Sequence, residues 1–262
     1  MNTLIEQGVD EIHKENYALA AKNLERAVKI RPDIPEAQNV LGVAYMLLER
    51  SKDAEQCYME AIRLNPYMAD AYFNLGVLYR KEKKYDACFD NLRLALHFRQ
   101  NDPQTLLYQG LAHADLEEYD EAIKAFNKAL SHDHEFYPAY FALGGVYYIL
   151  TNLNAAVEAY TQVTRLKSDA VDAHIYLGFT HWRLKQYKEA AGDFRRAVLA
   201  RPDYALAHYY LGLAYVELHD EESALIEYNQ LLGVDRELAE KLSRSIQGGE
   251  EELPTPPLLV TG

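Results

Sequence analysis

Nine histidines and two cysteines are the side chains of this 262-residue sequence best suited to proton transfer, metal ligation or nucleophilic attack. His132-Asp133-His134 brings two imidazoles and a carboxylate together. On a turn, however, they lack the three converging ligands and open position of a catalytic metal site, so no metal is expected. Cys57 and Cys88 fall at small-residue positions of helical segments and read as buried reduced thiols, with no disulfide. Gly144-Gly145 is not a phosphate cradle, because no lysine follows at the required spacing and the pair lies inside an expected helix. No nucleophile elbow occurs, and neither cysteine has a plausible histidine partner. No cofactor is expected, and an enzyme is the weakest reading.

The elements that hold these residues explain most of them. Gly8, Gly42, Gly76, Gly110, Gly144, Gly178 and Gly212 recur every 34 residues without an insertion. Twelve residues on, the column Ala20, Ala54, Cys88, Ala122, Ala156, Ala190, Ala224 is uniformly small. The next column, Leu24, Tyr58, Leu92, Phe126, Tyr160, Phe194, Tyr228, is uniformly bulky. Glycine inside a helix costs about 1 kcal/mol relative to alanine, so seven such glycines imply a steric need: two helices cross closely there, and the bulky column fills the adjacent hollow. Apolar spacing of three and four lapses at segments such as Leu48 to Asp53 and Asp115 to Glu118, which predicts helix, short turn, helix in every period. Pro32, Pro66 and Pro202 end the second helix in three copies. His113 and His181 share a column with Tyr45, Tyr79, Tyr147 and Tyr215, and His174 and His208 share one with Tyr72 and Tyr140, so all four read as packing substitutes.

The sequences Leu41-Gly42-x-x-Tyr45, Leu75-Gly76-x-x-Tyr79, Leu143-Gly144-x-x-Tyr147 and Leu211-Gly212-x-x-Tyr215, each followed by the small and bulky columns, resemble the tetratricopeptide repeat family. The resemblance covers residues 1–238, as repeats 1–34, 35–68, 69–102, 103–136, 137–170, 171–204 and 205–238. It implies an all-α fold, a right-handed superhelical solenoid of seven helix-turn-helix hairpins whose first helices line a concave groove for a peptide or partner domain. Gln7 and Glu11 replace the Leu and Tyr of later copies, as suits a solvent-facing first unit. Val234, Leu238, Leu242 and Ile246 form an apolar stripe after the expected N-cap Asp235, and Gly248-Gly249 ends it, giving a capping helix placed at 239–248. Residues 249–262 read as an acidic, proline-rich flexible tail, whose stretch from Leu253 to Val260 could serve as a polyproline-type ligand.

The resemblance assigns the groove to the columns of Asn2, Ile5, Val9 and Ile12. Their copies give the candidate partner-binding residues Asn39, Val43, Met46, Phe73, Val77, Arg80, Leu107, Leu111, Phe141, Tyr148, Ile175, Phe179, Trp182, Tyr209 and Leu213. Many relatives place asparagine and lysine here to clamp a terminal carboxylate. This stripe is apolar and aromatic, and Arg80, Lys81, Lys83 and Lys84 cluster at a hairpin end that reads as a solvated turn. Lateral packing between first helices is expected to absorb about half of the stripe, leaving the rest for a partner.

With 49% hydrophobic and 26% charged residues the chain has the composition of a folded protein. Its net charge of −13 and pI near 5.2 repel phosphate backbones and anionic leaflets. Neither nucleic acid nor membrane insertion is expected. Met1 to Asp10 lack a secretory pattern, which, for a native N-terminus, places the protein in the cytoplasm. The function that follows is a non-catalytic scaffold or adaptor binding another protein, through an apolar peptide or amphipathic helix, in an apolar groove. The alternatives are a self-assembling structural protein, a homo-oligomer through groove or tail, and a regulatory subunit of an enzyme complex.

Overall fold

In every 34-residue period the first helix ends on a left-handed residue that is not glycine: Glu15, Glu49, Lys83, Glu117, Thr151, Lys185 and His219, with φ between 57 and 61°. At Glu49 the geometry is explicit: its N–H donates to Met46 O (3.1 Å) and the Arg50 N–H to Tyr45 O (2.9 Å), the paired bonds of a Schellman end. The chain reverses there and the second helix begins within three residues. The computed structural model describes residues 2–249, and among them every regular element is a helix. The tail expected at 249–262 lies, from residue 250 on, outside the described residues.

Two compact units divide the chain, Met1–His132 and Asp133–Gly262. The first carries four hairpins: α1 (Asn2–His13) with α2 (Tyr17–Ile30), α3 (Pro35–Leu47) with α4 (Ser51–Leu64), α5 (Ala69–Lys81) with α6 (Tyr85–Phe98), and α7 (Pro103–Asp115) with α8 (Tyr119–His132). The second carries three hairpins and one more helix: α9 (Tyr137–Ile149) with α10 (Leu153–Leu166), α11 (Val171–Arg183) with α12 (Tyr187–Ala200), α13 (Ala205–Glu217) with α14 (Glu221–Leu232), then α15 (Arg236–Ile246). None of these helices is long and apolar enough to cross a membrane.

The glycine column does what its spacing predicts in six hairpins. A Cβ on Gly42 would lie 2.5 Å from the Tyr58 ring, and one on Gly178 would lie 2.5 Å from the Phe194 ring, so nothing larger fits. The small column from Ala20 to Ala224 is wholly buried, and so is the bulky column from Leu24 to Phe194. The seventh copy departs. The atoms nearest a Cβ on Gly212 belong to Leu242 of α15 (2.4 Å), while Tyr228 is only half-buried. The extra helix has entered the crossing that the bulky column fills elsewhere.

Helix α15 starts at Arg236, three residues before position 239, because the Asp235 side chain accepts from the Leu238 N–H (3.1 Å) and so sets the N-cap there. It ends at Ile246, and past the C-cap Gln247 the left-handed Gly248, φ 88°, lets the Gly249 N–H reach Arg244 O (2.9 Å). Between hairpins, α2, α4 and α12 stop before Pro32, Pro66 and Pro202, but α6 and α10 stop at the same register without proline. Tertiary bonds fix the junctions. His174 Nε2 meets Ser168 O and His208 Nε2 meets Pro202 O, both at 2.9 Å, as the Tyr72 hydroxyl donates to Pro66 O at 3.3 Å. Each of these side chains ties a first helix to the loop six residues before it.

Candidate interaction surface

The four histidines of the repeat columns are held by hydrogen bonds. His181 Nδ1 meets Asp193 Oδ2 at 2.6 Å, His113 Nδ1 meets Glu118 Oε2 at 2.7 Å, and His208 Nδ1 meets Glu227 Oε2 at 2.6 Å. The tyrosines of the same columns do likewise: the Tyr45 hydroxyl donates to Glu25 (2.8 Å) and the Tyr79 hydroxyl to Glu55 (2.6 Å). Burial, helped by those carboxylates, pushes both phenols up to about 12. Burial also raises the Cys57 and Cys88 thiols to about 11, which leaves little thiolate at neutral pH.

In the first unit, consecutive first helices are stitched by polar pairs 35 residues apart. Asn74 Nδ2 donates to Asn39 Oδ1 at 2.9 Å, and Arg80 meets Asp115 through Nε at 2.7 Å and Nη2 at 3.2 Å. Arg80 therefore does not belong to a solvated basic turn: it is buried, forked onto a carboxylate and 6.0 Å from the Tyr108 ring, while Lys81, Lys83 and Lys84 stay exposed. The two amides that could have clamped a peptide are bonded to each other. Around these pairs Val43, Met46, Phe73, Val77 and Leu111 are half-buried, and Leu107 is buried. Phe73 sets its edge against Tyr108 at 5.2 Å.

The second unit differs. Ile175, Phe179, Tyr209 and Leu213 are core residues. Phe179 lies 4.6 Å from Tyr210 and 5.5 Å from Phe194, ring centre to ring centre, so lateral aromatic packing has taken these columns out of contact range. Phe141, Tyr148 and Trp182 remain half-buried. Phe141 packs edge-on to Tyr176 (5.5 Å), Trp182 to Tyr187 (5.1 Å), and Tyr148 carries the Arg183 guanidinium 4.6 Å above its ring. Of the expected stripe, Leu107, Ile175, Phe179, Tyr209 and Leu213 are buried, in line with lateral packing absorbing part of it, and Asn39 and Arg80 act as ties between helices.

A cleft of about 270 Å³ opens beside Phe141, lined by apolar side chains such as Tyr137, Val163 and Val171 and by the charged Lys167, Asp169, Asp172 and Arg201. Only Phe141 among its lining was expected from sequence. Lys167 and Arg201 sit on the loops after second helices; Lys167 lies 5.3 Å from the ring of Tyr137, which opens the first helix of the same hairpin, and Arg201 lies 5.2 Å from Tyr204, at the N-cap of the following first helix. Asp115 was missed as well. A signal for it exists: a carboxylate 35 residues after an arginine, one place beyond the repeat.

Family profiles of the tetratricopeptide repeat match residues 35–68 and 103–136, residues 57–89, and residues 141–198 and 180–237, together well over half of the chain. The chain belongs to the tetratricopeptide repeat family. It is 31% identical over 133 residues to Tetratricopeptide repeat protein 13 of Homo sapiens, covering 51% of this chain and 15% of that protein. It is 31% identical over 108 residues to TPR repeat-containing protein YpiA of Bacillus subtilis (strain 168), covering 40% of this chain and 26% of that one. The chain thus spans only a minor part of these relatives. Among solved structures, Pseudomonas aeruginosa PilF superposes with a TM-score of 0.66 at 18% identity, over 80% of this chain and 96% of that one, a likeness of fold. Membership supports a protein interaction scaffold as the general role of these repeats.

Proposed function

We propose that the chain is a non-catalytic adaptor whose first helices bind an apolar peptide or amphipathic helix of a partner protein. One observation carries this reading: Val43, Met46, Phe73 and Val77 stay half-exposed on the first helices of the first unit, while the polar groups beside them are already paired with one another. A surface with apolar side chains available and its amides and guanidinium engaged gains energy from burial rather than from charge. The Phe141 cleft, lined by apolar and charged side chains together, offers room for an anchoring side chain of such a partner.

The test is an array of peptides about 15 residues long, in which amphipathic helices with apolar anchors at i, i+3, i+4 and i+7 compete with acidic peptides ending in a free carboxylate. The amphipathic set is expected to bind the full chain with affinity nearly independent of salt. Substituting Val43→Asp with Val77→Asp is expected to abolish that binding without loss of helicity. Selective capture of the acidic, carboxylate-ended set, lost steeply in salt, would falsify the reading.

A further inference from the structure

The last second helix has a flank that its six counterparts do not show. Earlier second helices turn two columns toward the first helix of the next hairpin: Phe89 lies 4.5 Å from the His113 ring, Val157 packs on Tyr176 and Leu177, and Ala191 and Val198 pack on the Tyr209 to Tyr215 stretch. In α14 these columns hold Leu225 and Leu232, and they are 43% and 46% exposed. Ile226 beside them, 52% exposed, stands where every earlier copy has a polar residue or glycine (Lys22, Gln56, Asp90, Lys124, Glu158, Gly192). The cause is the placement of α15. Its Leu242 enters the Gly212 crossing between α13 and α14 instead of covering the far flank of α14.

The flank has its own symmetry. Leu225, Asn229 and Leu232 are spaced by four and three, so they share one stripe, with Glu221 and Glu222 on the same side at its start. Arg236 follows just past its end, 83% exposed and only loosely held to Glu240 at 3.4 Å. The opposite end of the array offers no complement: Gln7 is exposed, and Glu11 is tied to Lys14 (2.9 Å) and Asn16 (2.8 Å), so head-to-tail stacking would set apolar side chains on a polar face.

We propose that α14 pairs antiparallel with α14 of a second copy across a two-fold axis at Asn229. Leu225 then meets the partner's Leu232, and the reciprocal contact follows from symmetry. The two Asn229 amides face each other across the axis, donor to acceptor, and fix the register as a lone polar residue does in a helical seam. The acidic first turn of each α14 lies beside the partner's Arg236, which supplies charge complementarity at both ends. This surface is separate from the first helices and does not depend on what they bind.

Sedimentation equilibrium of the full chain tests the proposal, with twice the 30.0 kDa of one chain expected at about 10–100 μM, the range that an interface this small reaches. Leu225→Glu with Leu232→Glu is expected to weaken association about 100-fold or more, with unchanged helicity, because it would bury unpaired carboxylates. Asn229→Cys is expected to form an interchain disulfide on mild oxidation, as a residue facing its own copy at the axis does. Both native thiols are buried and do not compete. A monomer throughout that range, a dimer that survives the double substitution, or no cross-link at position 229 each overturns the proposal. So does a chain ending at Gly249 that dimerises while the full chain does not, since the residues beyond 249 would then be the cover.

Discussion

One first-helix column carries apolar side chains in both units that differ in exposure. In the first unit the Val9 column holds Val43, Val77 and Leu111, which remain half-exposed; in the second it holds Gly145, Phe179 and Leu213, which are buried. Between Val77 and Phe179 size decides this. A valine on one first helix does not reach across to the next, so polar pairs close the gap there: Asn39 with Asn74, Arg80 with Asp115. A phenylalanine does reach, and Phe179 closes on Tyr210 at 4.6 Å without any polar tie. Of Val77 and Phe179 the larger side chain is the less available. Apolar character alone does not mark a contact surface on a stack of helices, because each helix is its neighbour's first partner.

The sharpest way to break the comparison is to truncate one member of each set. Phe179→Ala removes a wholly packed ring, with an expected loss of about 3–4 kcal/mol in the second unit, whereas Val77→Ala is expected to lose about 1 kcal/mol or less in the first. Replacing Phe141, Phe179 and Tyr209 together would unfold the second unit, so that combination cannot report on partner binding. Hydrogen exchange resolved by helix separates the two units, which a single melting curve averages. Equal losses at Phe179 and Val77 would mean that the exposure difference has no energetic content.

The polar ties of the first unit come next. Arg80→Met strands Asp115 as a carboxylate only 12% exposed, and about 3 kcal/mol of destabilisation is expected, while Arg80→Met with Asp115→Leu is expected to recover most of it. In a denaturant series the double substitution should sit closer to wild type than to Arg80→Met. If it is as unstable as the single change, the pair does more than close a gap. The contrasting link in the second unit, Arg183 Nη1 to Tyr148 O at 3.1 Å, is exposed, and Arg183→Met is expected to cost less than about 1 kcal/mol.

Most of the fold was readable because the period makes each column a sevenfold measurement. Gly8 to Gly212 and Ala20 to Ala224 fix where helices cross, and Asp235 and Gly248 mark the ends of α15 by local bonding alone. What escaped reading depends on partners distant in sequence. Tyr228 belongs to the bulky column by register, yet loses its place to Leu242, because a helix outside the repeat competes for the same hollow. Phe179 and Val77 occupy the same column, as do Leu213 and Leu111, and the neighbours each meets on the next helix separate core from surface. Arg80 stands beside three exposed lysines in sequence but not in environment, since Asp115 comes from the next hairpin.

The hairpin turns escaped for another reason, and they supply the smallest and most local comparison. A left-handed position is usually advertised by glycine, but here seven non-glycine residues hold it, because the Schellman bonds and the packed helices on both sides over-determine the backbone. Their strain is unequal. Thr151, φ 60°, is β-branched and the least suited of the seven to that conformation, whereas Glu49, φ 61°, has an unbranched Cβ. Thr151→Gly is expected to stabilise the second unit by about 0.5–1 kcal/mol, since relief of the left-handed strain exceeds the entropy glycine adds to the unfolded chain. Glu49→Gly is expected to gain less in the first unit. Exchange rates in α9 and α10 against those in α3 and α4 give the two numbers. If Thr151→Gly is neutral or destabilising, the threonine contributes packing that offsets its backbone strain, and these turns tolerate branched residues at no net cost.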